Sequence, residues 1–343
     1  MSVAAMMSEG PGPDERKLGI VHSTRPPQKA DVFILQTSPL PTFGDISIDL
    51  LGDPIPRPDL DTRFVNYYQL NQHFSDGTRA RGVVGIALNP ISDLPIVGEP
   101  AWFTSLDRGF NQRTSDRLGE LGRHTYRQGV PNQGHSLYRN SWDVHLALGV
   151  VAQKFEDKLQ TTIIDAEGDS NGAMTSTGVI AYSEAFDRVV RDGYFVDPCM
   201  VSRIGLEEAL KFLKHPEYIA KEAYCLFRQA IRLINEEEDA TSYIKTIELS
   251  TEYIIGNALL PRALFWGDLG HLIAHIPETQ KAHYRLFEHS IGNQKRKFHK
   301  ILRGPNGTSR QAVTTEVITG THLSIANPKT INAKLEYFRN QTT

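Results

Sequence analysis

Short apolar runs alternate with longer segments of helical periodicity from residue 30 onward. Runs rich in Val, Ile, Phe and Thr that are bounded by Gly, Pro, Asn or Asp are typical of strands. We predict strands at residues 31–36, 45–51, 64–70, 83–88, 101–105, 161–165, 194–196 and 315–319. Residues 142–154 carry apolar positions at helical spacing, and a second helix should begin just after Ser170. This alternation predicts an α/β fold with a mostly parallel, twisted sheet flanked by helices.

Two segments depart from the alternating pattern. Residues 1–28 contain Gly-Pro repeats and show neither strand nor helix periodicity, which predicts a flexible N-terminal leader. Residues 205–279 contain several helical patterns without a strand pattern between them. Such a block is more economically a helical insertion in the sheet domain than a part of the sheet. The core domain is then formed by residues 29–204 and 280–343.

Two adjacent aromatic residues of the predicted insertion, Phe265 and Trp266, are candidates for lining an apolar substrate pocket. The alternative is that they form the core of the insertion itself, which is the more frequent role of aromatic residues at helical spacing. Both interpretations stay open on the sequence.

The composition excludes several classes of protein. With 40% hydrophobic and 22% charged residues and a net charge of −3 over 343 residues, long-range attraction to nucleic acid is not expected. No apolar run reaches the ~18 residues of a membrane span, and no signal-peptide pattern is present near the N-terminus. We therefore expect a soluble, cytoplasmic protein without a nucleic-acid partner. A homodimer stays open.

Metal binding is not expected from the candidate ligands. Cys199 and Cys225 lack the Cys-x-x-Cys spacing of a cluster site and are interpreted as reduced core residues. His271 and His275 lie four apart, but the Glu of a His-Glu-x-x-His pattern is absent between them. The sequence thus predicts neither a metal nor a cofactor.

The segment Gly168-Asp169-Ser170-Asn171-Gly172 matches Gly-x-Ser-x-Gly directly after a predicted strand and before a predicted helix. In that context the pentapeptide is typical of a nucleophile elbow, in which the chain turns so sharply that larger side chains beside the serine would collide. The serine is presented at the carboxyl edge of the sheet, where open α/β sheets bind ligands. The alternative is an ordinary tight turn between a strand and a helix.

Further segments follow in the order of a known family. They are residues 83–90, Leu106-Asp107-Arg108-Gly109-Phe110, and Val317-Ile318-Thr319-Gly320-Thr321-His322 followed by Asn327-Pro328 and an amphipathic helix. Together with the elbow they resemble the α/β-hydrolase fold superfamily over residues 45–340. In that resemblance residues 83–88 are the third core strand, with Asn89-Pro90 where the family normally has His-Gly, and the insertion is the cap.

The resemblance implies roles for individual residues. Ser170 is the nucleophile and His322 the general base. The acid is Asp197 at the tip of the strand after the elbow helix, or alternatively Glu288, at the position that is commoner in the family. The oxyanion hole is formed by the N–H of Asn171 together with that of Ile91 or Asn89, since Pro90 has no N–H.

The implied function is that of a serine hydrolase that cleaves an ester or related acyl bond of a small molecule through an acyl-enzyme. The same fold also serves amidases, thioesterases, haloperoxidases and acyltransferases of the homoserine type. A non-catalytic scaffold with a decayed site is the alternative from another class, because Asn89-Pro90 departs from the family pattern.

Overall fold

The computed structural model describes residues 46–51, 65–74, 79–87, 94–101, 104–129, 163–181, 189–198, 269–288, 290, 298 and 312–341. Within these residues the sheet has nine strands: β1 (Ile46–Leu51), β2 (Asn66–Phe74), β3 (Arg79–Ala87), β4 (Ile96–Glu99), β5 (Thr125–Gly129), β6 (Ile163–Asp169), β7 (Val189–Val196), β8 (Lys281–Phe287) and β9 (Val313–Ile318). The described helices are α1 (Gly109–Gly119), α2 (Asn171–Ala181), α3 (Leu269–His275) and α4 (Pro328–Asn340), with a 3-10 helix at His322–Ala326.

The spatial order of the strands is β1-β2-β3-β5-β4-β6-β7-β8-β9. The pairs β1·β2, β2·β3 and β3·β5 are antiparallel, and all pairs from β5 to β9 are parallel. The predicted α/β fold with a mostly parallel sheet is therefore confirmed. The predicted helix after Ser170 is confirmed as α2.

Helices cover both faces of the sheet. Along β7, the buried side chains of Tyr194 and Val196 share one apolar cluster with Phe338 of α4 and Phe110 of α1. Gly193 faces the other way, where a Cβ would lie 2.7 Å from the side chain of Ile180 in α2. Helix α3 packs on α2 on this second face. The alternation of side chains along a strand thus gives the sheet two buried faces.

Several strand predictions need correction. In the span predicted as a strand at 101–105, Ala101 and Ser105 are not in a strand, Thr104 forms a single bridge, and residues 102 and 103 lie outside the described residues. The strand lies at Ile96–Glu99 instead. The strand β5 was not predicted, since it is short and carries Arg127 at a buried position. The strand β8 was considered only as the support of Glu288, although its buried residues Ala282, Tyr284 and Leu286 alternate with more exposed ones.

Other predictions lie outside the described residues. They are the leader at 1–28, the strand at 31–36, the helix at 142–154, the insertion from 205 to 268, and Phe265 and Trp266. Among the described residues, no helix is long and apolar enough to cross a lipid bilayer.

Candidate active site

Ser170 leaves the carboxyl end of β6 in a left-handed backbone conformation, with φ of 57°. Its main-chain N–H donates to the carbonyl oxygen of Val196 at 2.9 Å, so the turn is attached to the end of the neighbouring strand β7. A positive φ is uncommon for a residue with a side chain, and such strain is found where the surrounding structure enforces it. The sharp turn lifts the serine hydroxyl above the sheet edge.

The two glycines of the elbow are required by close contacts. A Cβ on Gly172 would lie 2.0 Å from the carbonyl oxygen of Glu99 in β4. A Cβ on Gly168 would lie 2.5 Å from the main chain of Gly172. Both contacts are with backbone atoms, which cannot move aside as a flexible side chain can. The elbow helix therefore packs directly on the carboxyl end of β4.

Three predicted residues lie in one chain of hydrogen bonds. The Oγ of Ser170 is 2.9 Å from Nε2 of His322, and Nδ1 of the same ring is 2.6 Å from Oδ2 of Asp197. An ionised carboxylate can only accept hydrogen bonds, so the ring donates its proton from Nδ1. The opposite nitrogen then faces the serine hydroxyl as an acceptor, as a general base must. The structure thus brings together residues that are 125 and 152 positions apart from the histidine.

Asp197 is fully buried and held from several sides. It follows β7 with φ of 46°, and its N–H donates to the carbonyl oxygen of Arg285 at 2.7 Å. Its Oδ1 accepts the main-chain N–H of Phe287 at 3.2 Å, and its Oδ2 accepts the hydroxyl of Ser290 as well as His322. A buried carboxylate needs such donors to offset the loss of water. These contacts orient Asp197 toward the imidazole.

Glu288, the alternative acid, lies in the position that the resemblance assigned to it, directly after β8. Its side chain is exposed, and its main-chain N–H donates to the carbonyl oxygen of Ile318 at 2.9 Å. The carboxylate that contacts His322 belongs to Asp197, so the geometry favours Asp197. The loop after β8 contributes Ser290 instead, a residue that the sequence reasoning missed.

His322 begins the 3-10 helix His322–Ala326, and that segment is anchored at both ends. At its start, the main-chain N–H of Thr321 donates to the Ser324 hydroxyl at 3.0 Å, and the N–H of Ser324 donates to the carbonyl oxygen of Thr321 at 2.9 Å. At its end, the hydroxyl of Thr330 in α4 donates to the carbonyl oxygen of Ser324 at 2.8 Å. The histidine loop is thus part of a compact unit with the C-terminal helix.

Asn171, the predicted first oxyanion donor, is the first residue of α2 and is fully buried. The N–H groups of the first turn of a helix have no intrahelical acceptor, and they attract negative charge. This position agrees with the predicted role.

The predicted second donors, Asn89 and Ile91, lie outside the described residues, so their role stays a prediction. Because β3 is antiparallel to β5, its last residue Ala87 pairs with Thr125, the first residue of β5. Strand β3 therefore ends at the amino edge of the parallel strands, whereas Ser170 lies at the carboxyl edge. Strand β4, and not β3, lies beside the elbow strand β6.

Three acidic residues of β6, Asp165, Glu167 and Asp169, alternate along the strand and so share one face of the sheet. We call them the acidic ladder. All are buried and paired: Asp165 with Arg123 at 2.6 Å and Arg191 at 2.8 Å, Glu167 with Arg127 at 2.5 Å and Lys334 at 2.5 Å, and Asp169 with Lys334 at 2.8 Å and Arg127 at 3.2 Å. The sequence reasoning missed this ladder. The sequence does show the pattern that would have revealed it, an acidic residue at every second position of a strand.

The environment shifts the pKa values of Glu167 and Asp169 in opposite directions. Burial raises the pKa of Asp169, and the nearby Glu167 carboxylate raises it further against the opposing effect of Lys334 and Arg127. Burial would also raise the pKa of Glu167, but Arg127 and Lys334 outweigh it and hold that pKa below its usual value. Gly98 makes room for Glu167, because a Cβ there would lie 1.9 Å from its Oε1.

The chain matches no protein-family model and no curated protein. Solved structures are similar to it in fold. A cold-adapted esterase from an Arctic intertidal metagenomic library is 10% identical, with 85% of this chain and 98% of the esterase aligned at a TM-score of 0.50. An esterase of Pyrococcus furiosus is 11% identical, with the same coverage and TM-score. A hydrolase of Pseudomonas aeruginosa is 12% identical, with 79% of this chain and 97% of that chain aligned at 0.52.

Identities this low establish a fold and leave the chemistry to be argued from the site. These neighbours are esterases and a hydrolase, and the mostly parallel sheet with helices on both faces is consistent with their fold. The chain therefore has the fold of the α/β-hydrolase superfamily.

Proposed function

We propose that the protein is a serine hydrolase that cleaves an ester or related acyl bond of a small molecule. The single observation that carries the proposal is the continuous hydrogen-bonded chain from the Ser170 hydroxyl through His322 to the buried Asp197. A serine on a strained turn beside an imidazole that is backed by a carboxylate is the arrangement of an activated nucleophile. The similarity in fold to esterases supports the proposal without assigning a substrate.

In the first half of the reaction, the Ser170 oxygen attacks the acyl carbon while Nε2 of His322 takes the hydroxyl proton. Asp197 stabilises the imidazolium that forms and keeps the ring in the useful tautomer. His322 then gives the proton to the leaving oxygen, and the acyl-enzyme remains. In the second half, His322 takes a proton from water, the hydroxide attacks the acyl carbon, and the proton returns to Ser170.

The oxyanion of each tetrahedral intermediate needs two donors. The N–H of Asn171 at the start of α2 is one. For the second we propose the N–H of Ala101, because Gly172 packs on the carbonyl of Glu99 and Pro100 has no N–H to offer. Ala101 is thus the first residue after β4 that can donate beside the elbow. Loss of one such donor typically lowers the rate by about 10²–10³-fold.

A serine-reactive fluorophosphonate probe tests the proposal directly. The folded wild-type protein should be labelled and should hydrolyse a short p-nitrophenyl ester, and both activities should disappear in Ser170→Ala. The matched control is Ser176→Ala in helix α2, because the Ser176 hydroxyl donates to the main-chain carbonyl oxygen of Glu167 at 2.7 Å, whereas Ser170 contacts His322. That control should be labelled like the wild type.

The opposite result is equally informative. Folded wild-type protein that neither reacts with the probe nor hydrolyses any ester of a short- to medium-chain acid panel would refute the hydrolase proposal. Labelling that survives in Ser170→Ala would place the nucleophile elsewhere.

A further inference from the structure

Lys334 is a buried cation that the proposed reaction does not use. It lies on α4, its side chain is 2% exposed, and its ammonium group contacts Glu167 and Asp169 of the acidic ladder. Asp169 is the residue immediately before Ser170. A buried lysine pairing with the strand that ends in the nucleophile connects the C-terminal helix to the elbow.

The same helix is rigidly joined to His322. Between His322 and Lys334, Asn327 ends the 3-10 helix and caps α4 by accepting the N–H of Lys329 at 2.8 Å. The N–H of Asn327 donates to Ser324 at 3.1 Å, and Ile331 and Leu335 of α4 are buried in the core cluster. No unbonded hinge separates the histidine from the lysine within this described stretch.

We propose that Lys334 is a positioning residue that sets the approach of His322 to Ser170, because it fastens the histidine-bearing segment to the residue before the nucleophile. This inference rests on the proposed function of Ser170 and His322. The ion contacts from Lys334 to Asp169 and from Lys334 to Glu167, at 2.8 and 2.5 Å, form the attachment. Arg127 also contacts Asp169, at 3.2 Å, so four charged side chains form one cluster: Arg127, Glu167, Asp169 and Lys334.

The charges of Lys334 and its neighbours explain why its contacts with Glu167 and Asp169 fix the position of α4. Arg127 and Lys334 balance Glu167 and Asp169, so four buried charges sum to zero. A buried pair adds little net stability relative to apolar residues, but its geometry is narrowly defined because each charge needs its partner. These four residues therefore contribute more to the position of helix α4 than to the free energy of unfolding.

The test distinguishes a role of Lys334 in positioning His322 from a role in stabilising the fold. Lys334→Met alone leaves an uncompensated buried carboxylate and is expected to destabilise the fold. The double variant Lys334→Met with Asp169→Asn removes one charge of each sign, and Arg127 and Glu167 remain a balanced pair. A stability role predicts that the double variant recovers both the melting temperature and the activity of the wild type.

The positioning role predicts a different result for the double variant. Its melting temperature should return toward the wild-type value, while kcat on a p-nitrophenyl ester falls about 10- to 100-fold with KM nearly unchanged. A crystal structure of the variant should show Ser170 Oγ and His322 Nε2 beyond hydrogen-bond distance. Wild-type kcat together with an unchanged 2.9 Å contact would overturn the inference.

The matched control lies three residues along the same helix. Tyr337→Phe removes the hydrogen bond from the tyrosine hydroxyl to Asp192 at 3.0 Å, which also joins α4 to the sheet but not to the elbow. Its kcat should equal that of the wild type. The distance between Ser170 Oγ and His322 Nε2 in the crystal structure of the double variant can be measured whether or not the protein is active. A wild-type protein without esterase activity would therefore refute the proposed function, and the distance would still test the role of Lys334.

Discussion

The main-chain N–H of Ser170 donates to the carbonyl oxygen of Val196, at 2.9 Å, across the ends of two parallel strands. This bond continues the register in which Asp169 of β6 pairs with Val196 of β7. The residues that follow, Ser170 and Asp197, therefore leave the sheet side by side. The imidazole of His322 lies between them and contacts both, so three residues that are distant in the sequence meet at one edge of the sheet.

Asp197→Asn should greatly reduce activity while the protein stays folded. The amide offers an N–H as well as an oxygen to Nδ1 of His322 and no longer enforces the productive tautomer, so we expect kcat to fall by roughly 10²- to 10⁴-fold. Ester hydrolysis under substrate saturation measures the effect. Glu288→Gln is the control and should keep wild-type kcat, because the Glu288 side chain is exposed. The reverse pattern would transfer the acid role to Glu288.

Ser290→Ala should have a smaller effect. The Ser290 hydroxyl donates to the same Asp197 oxygen that accepts from His322, and Phe287 still donates to the other oxygen after the change. A hydrogen bond worth about 1 kcal/mol corresponds to roughly a fivefold loss in kcat. Ser290→Thr retains the hydroxyl and should restore most of the rate. Equal activity of the alanine and wild-type proteins would show that Asp197 is held well enough without Ser290.

Gly172→Ala should destabilise the protein. The new Cβ would lie 2.0 Å from the carbonyl oxygen of Glu99, so helix α2 or strand β4 must shift. We expect a loss of about 1–3 kcal/mol in the free energy of unfolding, measured by urea titration. Gly129→Ala is the matched control in the same sheet, because the nearest atom to its Cβ would be 3.6 Å away, an ordinary contact. A Gly172→Ala protein as stable as this control would contradict the close packing of the elbow.

His283 should make the stability depend on pH. Its ring stacks on Tyr194 and Tyr337, with centroids 5.2 and 5.5 Å apart. Burial lowers its pKa from the usual 6.5, and the charge of Arg285 lowers it further, although the hydrogen bond and charge of Glu316 oppose the shift. The folded protein therefore resists protonation more than the unfolded chain does.

The sign of the effect follows from proton binding. Between the folded-state pKa and 6.5 the unfolded state binds more protons at His283, so the free energy of unfolding rises with pH in this window and falls as the pH is lowered through it. His283→Gln removes this contribution. The difference in unfolding free energy between wild type and variant, measured by urea titration at pH 5 to 8, should shrink toward acid pH. A difference that is constant with pH would contradict the prediction.

The elbow could be identified from the sequence because its steric requirement is contained in five consecutive residues. Gly168 and Gly172 are needed by backbone contacts within or beside the turn itself. The histidine after the last strand was likewise marked by its place before Asn327-Pro328, where α4 begins. Local chemistry of this kind does not depend on which strands are neighbours.

The strand beside the elbow could not be identified from the sequence, because strand order is not a local property. Residues 83–88 have the apolar character of a central strand, yet β3 is antiparallel and ends at the opposite edge from Ser170. The four-residue strand β4, between Pro95 and Pro100, has a weaker pattern and lies next to the elbow strand. Length and apolarity favoured residues 83–88 over β4, and neither property reports strand direction.

By itself, the sequence determined the class of fold and marked Ser170 as the candidate nucleophile, with the candidate acids and His322 after it along the chain, because strand alternation and the tight turn are encoded by neighbouring residues. Only the tertiary structure decided that Asp197 rather than Glu288 contacts His322, and that Lys334 contacts the acidic ladder. Those choices depend on the register of parallel strands and on the direction of side chains from distant segments, which hydrophobic patterning does not specify.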